Sequence, residues 1–180
     1  MKGLVNFLVL TLLIVPLTTC TTVTRKPNAE AAKYNLQLGL AYLKHGDVAR
    51  AKSKLLLALH ENPNDPIILD AMGYFFELTH DLKIAQRYYL QAIKIMPNAG
   101  AVHNNYGTYL CRHGYYRKAI EHFLLATKDI NYLHVAAAYK NAGLCALKIQ
   151  DKKLAREYLQ KAIQNDPSEI SVIAKLAKPN

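Results

Sequence analysis

Small and bulky apolar residues return along this chain at helical rather than alternating spacing. Helix-forming residues dominate, and Val and Thr never gather into the alternating runs of a half-buried strand. The pattern predicts an all-α protein. One segment stands apart: the apolar run Leu4–Val15 follows a lone basic residue, Lys2, and leads through Pro16 into the short stretch LTTC at 17–20. That order of charged, apolar and polar parts is the layout of an export signal, and the run is too short to span a bilayer comfortably.

From residue 32 onward the pattern repeats. Gly39, Gly73 and Gly107 are spaced by 34 residues, and Gly143 follows 36 later, in the frames LGLAY, MGYFF, YGTYL and AGLCA. Twelve residues past each glycine stands an alanine (Ala51, Ala85, Ala119, Ala155), and seven further on another (Ala58, Ala92, Ala126, Ala162). Between the two lies a bulky residue: Leu55, Tyr89, Phe123 or Leu159. Pro63, Pro97 and Pro167 close three of the four units, where the third has Asn131. Gly46 and Gly114 stand where first helices should end.

These landmarks resemble the tetratricopeptide repeat. The resemblance implies an all-α, right-handed superhelix of about four helix hairpins plus a C-terminal capping helix. Each hairpin leaves an apolar face that only its neighbour can cover. Glycine and the alanine twelve residues later are expected to meet where the two helices of a hairpin cross. The organisation predicted is a signal peptide over 1–20, a flexible tether over 21–31 and a repeat domain over 32–178. Its repeats run about 32–65, 66–99, 100–135 and 136–169, with the capping helix over 170–178. The third repeat is two residues longer, so its exit turn, near 129–135, must be rebuilt.

The full 180-residue chain has a net charge of +10, and removal of the signal with Lys2 leaves about +9. We read most of this charge as solvated surface. A rival reading puts Arg50, Lys52, Lys54, Arg87, Arg117 and Lys118, on second helices, against an anionic surface. Nucleic acid and small-molecule substrates are not expected partners. No His pair with Glu at zinc-protease spacing, no GxSxG and no metal-spaced Cys pair occurs, so neither enzyme activity nor a metal or cofactor is expected. His45, His80 and His113 fall at turns between helices. Of three cysteines, Cys20 ends the signal-like segment; Cys111 and Cys145 are expected as small apolar filler facing different ways, not as a pair.

Repeat arrays of the resembled kind hold peptides in a concave groove lined by their first helices. Outward positions there would be Lys33, Leu36, Leu40, Leu43 and Lys44, and then Ile67, Asp70, Tyr74, Glu77 and Leu78. The third repeat would add Ala101, Asn104, Thr108, Cys111 and Arg112, and the fourth Ala137, Lys140, Leu144, Leu147 and Lys148. Asn105 and Asn141 fall at the groove edge. Asn104 and Asn105, able to donate and accept at once, suit an extended peptide backbone. From these the candidate groove residues are Asp70, Tyr74, Glu77, Asn104, Asn105, Thr108, Arg112, Lys140 and Asn141.

The stretch NNYGTYLC at 104–111, continuing RHGYYRKAIEHF to 123, with YKNAGLCAL at 139–147, resembles one family: the type IV pilus biogenesis and stability lipoproteins (PilF/PilW). The ending with Leu17 three residues before Cys20 resembles a lipobox, although Thr19 replaces the usual Gly, Ala or Ser. The resemblance implies lipidation of Cys20 by acyl chains, palmitate among them, and residence on the periplasmic face of a Gram-negative outer membrane. It further implies a pilotin that binds the secretin subunit and promotes its localisation and multimerisation. Family members usually carry about six repeats, and this chain shows four. The alternative is a periplasmic repeat adaptor lipoprotein in envelope or cell-wall assembly.

Overall fold

A computed structural model describes residues 28–171. Eight helices occupy them: α1 (Ala29–Lys44), α2 (Val48–Glu61), α3 (Pro66–Leu78), α4 (Leu82–Ile95), α5 (Gly100–Arg112), α6 (Tyr116–Ala126), α7 (Val135–Lys148) and α8 (Lys152–Asn165). The expected capping helix begins with helical residues 169–171 and otherwise falls outside the described residues, as do the signal segment and most of the tether.

Local chemistry sets the ends of these helices. Asn28, Asp47, Asp65 and Asp151 accept hydrogen bonds from backbone N–H groups of the first turns of α1, α2, α3 and α8, and Pro66 opens α3. At the other end, Asn62, Met96 and Asp166 each precede a proline and leave helical geometry for extended backbone, ending α2, α4 and α8. First helices stop differently. Gly46 and Gly114 take positive φ just past α1 and α5, and His80 and Gln150 occupy the same left-handed position past α3 and α7.

Each first helix packs antiparallel on the second helix of its own hairpin, and α2, α4 and α6 pass the stack to α3, α5 and α7. The landmark alanines are buried at this packing: Ala51, Ala58, Ala85, Ala92, Ala119, Ala126 and Ala162 have no accessible surface. The glycines meet a partner other than the expected one. A Cβ at Gly39, Gly73, Gly107 or Gly143 would lie 2.7–2.9 Å from the side chain of Leu55, Tyr89, Phe123 or Leu159 respectively. The interlock is thus glycine against the bulky residue sixteen positions on. The alanine twelve positions on contributes its carbonyl, 3.2 Å from that Cβ position in the third and fourth hairpins.

The rebuilt exit turn of the third repeat has a second function. α5 lacks a capping side chain at Ala99. Asp129, in the turn after α6, supplies it from a distance by accepting from the Gly100 N–H at 2.8 Å. Asp129 also accepts from the Asn131 N–H at 2.9 Å, and both bonds hold its carboxyl below the usual range. Tyr132 packs over Gly100 so closely that a Cβ there would lie 2.6 Å from it.

The middle of the stack is rich in tyrosine. Tyr89, Tyr106 and Tyr109 are buried with ring centroids 5.4–5.8 Å apart. Each hydroxyl has a polar partner: Tyr89 donates to Glu77, Tyr109 donates to the Leu82 carbonyl, and Gln86 donates to Tyr106. Phenylalanine would fill the same space but leave those polar partners unmatched.

Gly107→Ala should destabilise the fold by roughly 1 kcal/mol, because overpacking against Phe123 costs ~1–3 kcal/mol and helix propensity returns about 1. Phe123→Ala alone should cost ~3–5 kcal/mol. In the Phe123→Ala background, Gly107→Ala should turn neutral or favourable, giving a coupling of ~1–2 kcal/mol in a denaturant-unfolding double-mutant cycle. Additive effects would refute the interlock.

Candidate functional site

The first helices stand side by side, and polar groups link α3 to α5 and α5 to α7. Asn105 Nδ2 on α5 donates to Asp70 Oδ2 on α3 at 2.6 Å. Asn141 Nδ2 on α7 donates to Asn104 Oδ1 on α5 at 3.0 Å. In both cases the residue three before one glycine meets the residue two before the next. Lys140, three before Gly143, continues the row by donating to both carboxylate oxygens of Glu169 at 2.7 and 2.9 Å. A second row runs nearer the helix C-termini. Arg112 Nη1 lies 3.3 Å from Glu77 Oε1, His113 Nε2 lies 3.5 Å from the same oxygen, and the Tyr89 hydroxyl donates to Glu77 Oε2 at 3.3 Å.

Cys111 and Cys145 close the same face with a disulfide between α5 and α7, their Cα atoms 6.0 Å apart. This corrects the expectation of two unpaired filler thiols. Cys111 stands four residues after its glycine and Cys145 two after its own, which looks like two directions on one helix. Adjacent first helices are offset, however, so those two positions face each other across the gap.

Six of the expected groove residues come together. Asp70, Tyr74, Glu77, Asn105, Thr108 and Arg112, with Leu40, Ile67 and Ala101, line a groove of about 440 Å³ along α1, α3 and α5. A smaller recess of about 170 Å³ continues it past Thr108 and Arg112 to Cys111, Asn141, Leu144 and Lys148. Asn104 and Lys140 are spent on their neighbours, Asn141 and Glu169, and line neither. Leu36, expected outward, is 8% exposed and belongs to the core. Asp70 and Glu77 line the groove, yet they too are buried, at 8% and 7% exposure. The tether and Cys20 lie outside the described residues. Among the described residues no group of three His, Cys, Asp or Glu is placed to hold a metal ion.

Burial acts strongly on four groups, and one of them is Tyr132, whose hydroxyl it pushes up to about 12. The other three belong to the stacked helices. Burial pushes the Asp70 carboxyl up to about 7, opposed by the Asn105 hydrogen bond. It raises the Tyr89 hydroxyl far above its usual value, with Glu77 and Asp70 adding to the effect. It lowers His122 to about 4, helped by the neighbouring His103. The His pair was not legible from spacing. His103 is buried on α5, its Nε2 lies 2.8 Å from the Pro97 carbonyl, and its Nδ1 lies 2.9 Å from His122 Nδ1. A carbonyl can only accept, so Nε2 of His103 carries hydrogen. One of the two facing Nδ1 atoms carries the hydrogen between the rings.

Comparison with known proteins follows this geometry. The tetratricopeptide repeat family matches residues 112–170. The type IV pilus assembly protein PilF of Pseudomonas aeruginosa is 31% identical over 173 residues, covering 92% of this chain and 69% of PilF. The chain belongs to the tetratricopeptide repeat family, as a relative of the type IV pilus assembly proteins. An uncharacterized protein of Haemophilus influenzae is 32% identical over 136 residues, 76% of each chain. The solved P. aeruginosa PilF superposes with a TM-score of 0.75 at 30% identity, over 79% of this chain and 64% of that one. PilW, described as a widely conserved type IV pilus biogenesis factor, gives 0.73 at 25% identity, over 78% and 64%. This repeat protein therefore spans less than two thirds of either solved relative.

Two outcomes follow. Asp70 keeps its proton longer when folded than when unfolded, so between pH 3.8 and about 7 folding takes up a proton and stability falls as pH rises. His122 does the reverse: between its ordinary 6.5 and about 4, stability falls as pH falls. The slopes oppose each other in the wild type. Asp70→Asn should unmask stability that rises from pH 4 to 6.5, and His122→Asn stability that falls from pH 4 to 7, each at no more than ~1.4 kcal/mol per pH unit. Thermal unfolding across that range checks both signs. Separately, Cys111→Ser with Cys145→Ser opens a loop of 34 residues and should cost ~2–4 kcal/mol in denaturant unfolding.

Proposed function

We propose that this protein is a lipid-anchored pilotin. It sits on the periplasmic face of a Gram-negative outer membrane and holds the secretin subunit of the type IV pilus in its first-helix groove. The observation that carries the reading is the similarity to PilF, which covers 92% of the chain and so extends beyond the hairpins. The lipobox-like ending at Cys20 supports the anchor, because acyl chains contribute ~0.8 kcal/mol per buried methylene and several together make attachment persistent. The groove supports the cargo role. It is concave and edged by half-exposed apolar side chains, Leu40 and Tyr74, beside buried polar groups.

The mechanism is transport by attachment. Lipid on Cys20 supplies the address, the tether supplies reach, and the groove carries the secretin segment to the membrane where multimers assemble. Anchoring one end raises the local concentration of captured subunits without any new contact.

Cys20→Ala should deplete secretin multimers from the outer membrane, measured by fractionation and immunoblotting. Normal placement of multimers by that variant would end the transport reading. Tyr74→Ala should weaken secretin capture about tenfold or more at unchanged helicity, as expected for a central aromatic contact. Capture at wild-type strength would remove the groove from that role.

A further inference from the structure

One polar atom of the groove has no partner. Asp70 Oδ2 is held by Asn105, but Oδ1 is buried without a hydrogen bond, and the residue lines the groove at 8% exposure. Native structures rarely leave such an atom unmatched, since the desolvation of a buried acceptor goes uncompensated. The charged and titratable groups around it do not compensate. Glu77, two turns along α3, takes Arg112 of α5 for itself, and the Tyr89 hydroxyl of α4 donates to Glu77 as well. From α1 the groove receives Leu40, which is apolar.

We propose that Asp70 is the recognition carboxylate of the groove, taking a lysine or arginine side chain of a partner peptide, with apolar residues flanking that cation. This rests on the groove reading above and names the chemistry of its guest. The cation would bond Oδ1, which has no accessible surface in the empty groove, so the carboxyl must turn toward the guest as it binds. The peptide's apolar side chains would cover Leu40, Ile67 and Tyr74, which are 38%, 60% and 38% exposed. Charge selects the cation: Glu77 and Arg112 of the groove floor already pair with each other, so Asp70, once ionised, adds a negative charge that only a guest cation would match. Burial raises the Asp70 carboxyl to about 7, so below that pH it holds a proton while the groove is empty. A bound ammonium or guanidinium favours the ionised carboxylate, and the displaced proton leaves to buffer.

The test uses the full chain purified in detergent and the peptide acetyl-Ala-Leu-Ser-Lys-Ser-Leu-Ala-amide, with a twin in which glutamine replaces the lysine. At pH 8 the lysine peptide should bind at least tenfold tighter than its twin in calorimetry. Asp70→Asn, which keeps the Asn105 bond available, should bring the ratio to about one. On the wild type, which tests the idea even if the variant folds poorly, lysine-peptide binding at pH 6 should release about one proton. That is read from titrations in buffers of different ionisation heat, and release should fall toward zero at pH 8. Equal affinities for the two peptides, a lysine preference that survives Asp70→Asn, or no binding of either peptide would each overturn the assignment. Secretin capture by the wild type, lost in Tyr74→Ala, would still uphold the groove in all three cases, so the two readings fail separately.

Discussion

Two antiparallel helices can lie close only where one of them gives up its side chain. In this protein that place is filled, four times over, by glycine against a bulky residue sixteen positions later: Leu55, Tyr89, Phe123 and Leu159 each occupy the volume a Cβ would need. Tyr89 and Phe123 are 1% exposed, so their rings are held on all sides and cannot swing away to admit a methyl group. The close crossing sets the hairpin, and the hairpin sets how its first helix is presented to the next. The inner face of the stack therefore depends on contacts made on its far side.

That face is a set of cross-links. Asp70–Asn105, Asn104–Asn141 and Lys140–Glu169 join successive first-helix positions near their N-termini. Glu77–Arg112 and the Cys111–Cys145 bridge do so nearer the C-termini. α3 and α5, and α5 and α7, are thus tied at two levels, which resists both splaying and sliding. The rebuilt turn adds a tie from outside, where Asp129 caps α5 across 29 residues of chain. A repeat array is inherently a row of nearest-neighbour contacts. Charged and covalent links on one wall add to those contacts from the second repeat to the fourth.

The architecture was open to inference from the sequence because its cause is local and repeated. A glycine, two alanines, a bulky residue and a proline at constant offsets are steric requirements, and steric requirements show as spacing. The turn after the third repeat was legible for the same reason, since the missing proline at Asn131 and two extra residues break the period. Gathering Asp70, Tyr74, Glu77, Asn105, Thr108 and Arg112 along one groove followed from the positions that the resembled repeat turns outward. What escaped was pairing between repeats. Whether position four of one helix meets position two of the next depends on the offset between hairpins, which is fixed by packing volumes and not by any motif. Hence Cys111 and Cys145 looked divergent, and the amides at 104 and 105 looked free. The His103–His122 contact escaped for a further reason: both belong to variable positions of the repeat, with no counterpart in the other three units.

Self-matching of the groove residues also decides how the site can bind. Polar groups that already satisfy one another add little affinity, because a guest must break a bond to make one. Glu77 and Asn141 are of that kind, and Asn104 and Lys140, bonded to Asn141 and Glu169, lie outside the groove. The surface left to a guest is small: exposed apolar walls at Leu40, Ile67 and Tyr74, with one unmatched carboxylate oxygen buried nearby. Stiff walls cost a guest little ordering entropy, which favours affinity from few contacts. A single buried acceptor confers selectivity in the same economical way. A guest without a matching donor would leave it stranded in a drier site than before, and so would be rejected more strongly than a matched guest is attracted.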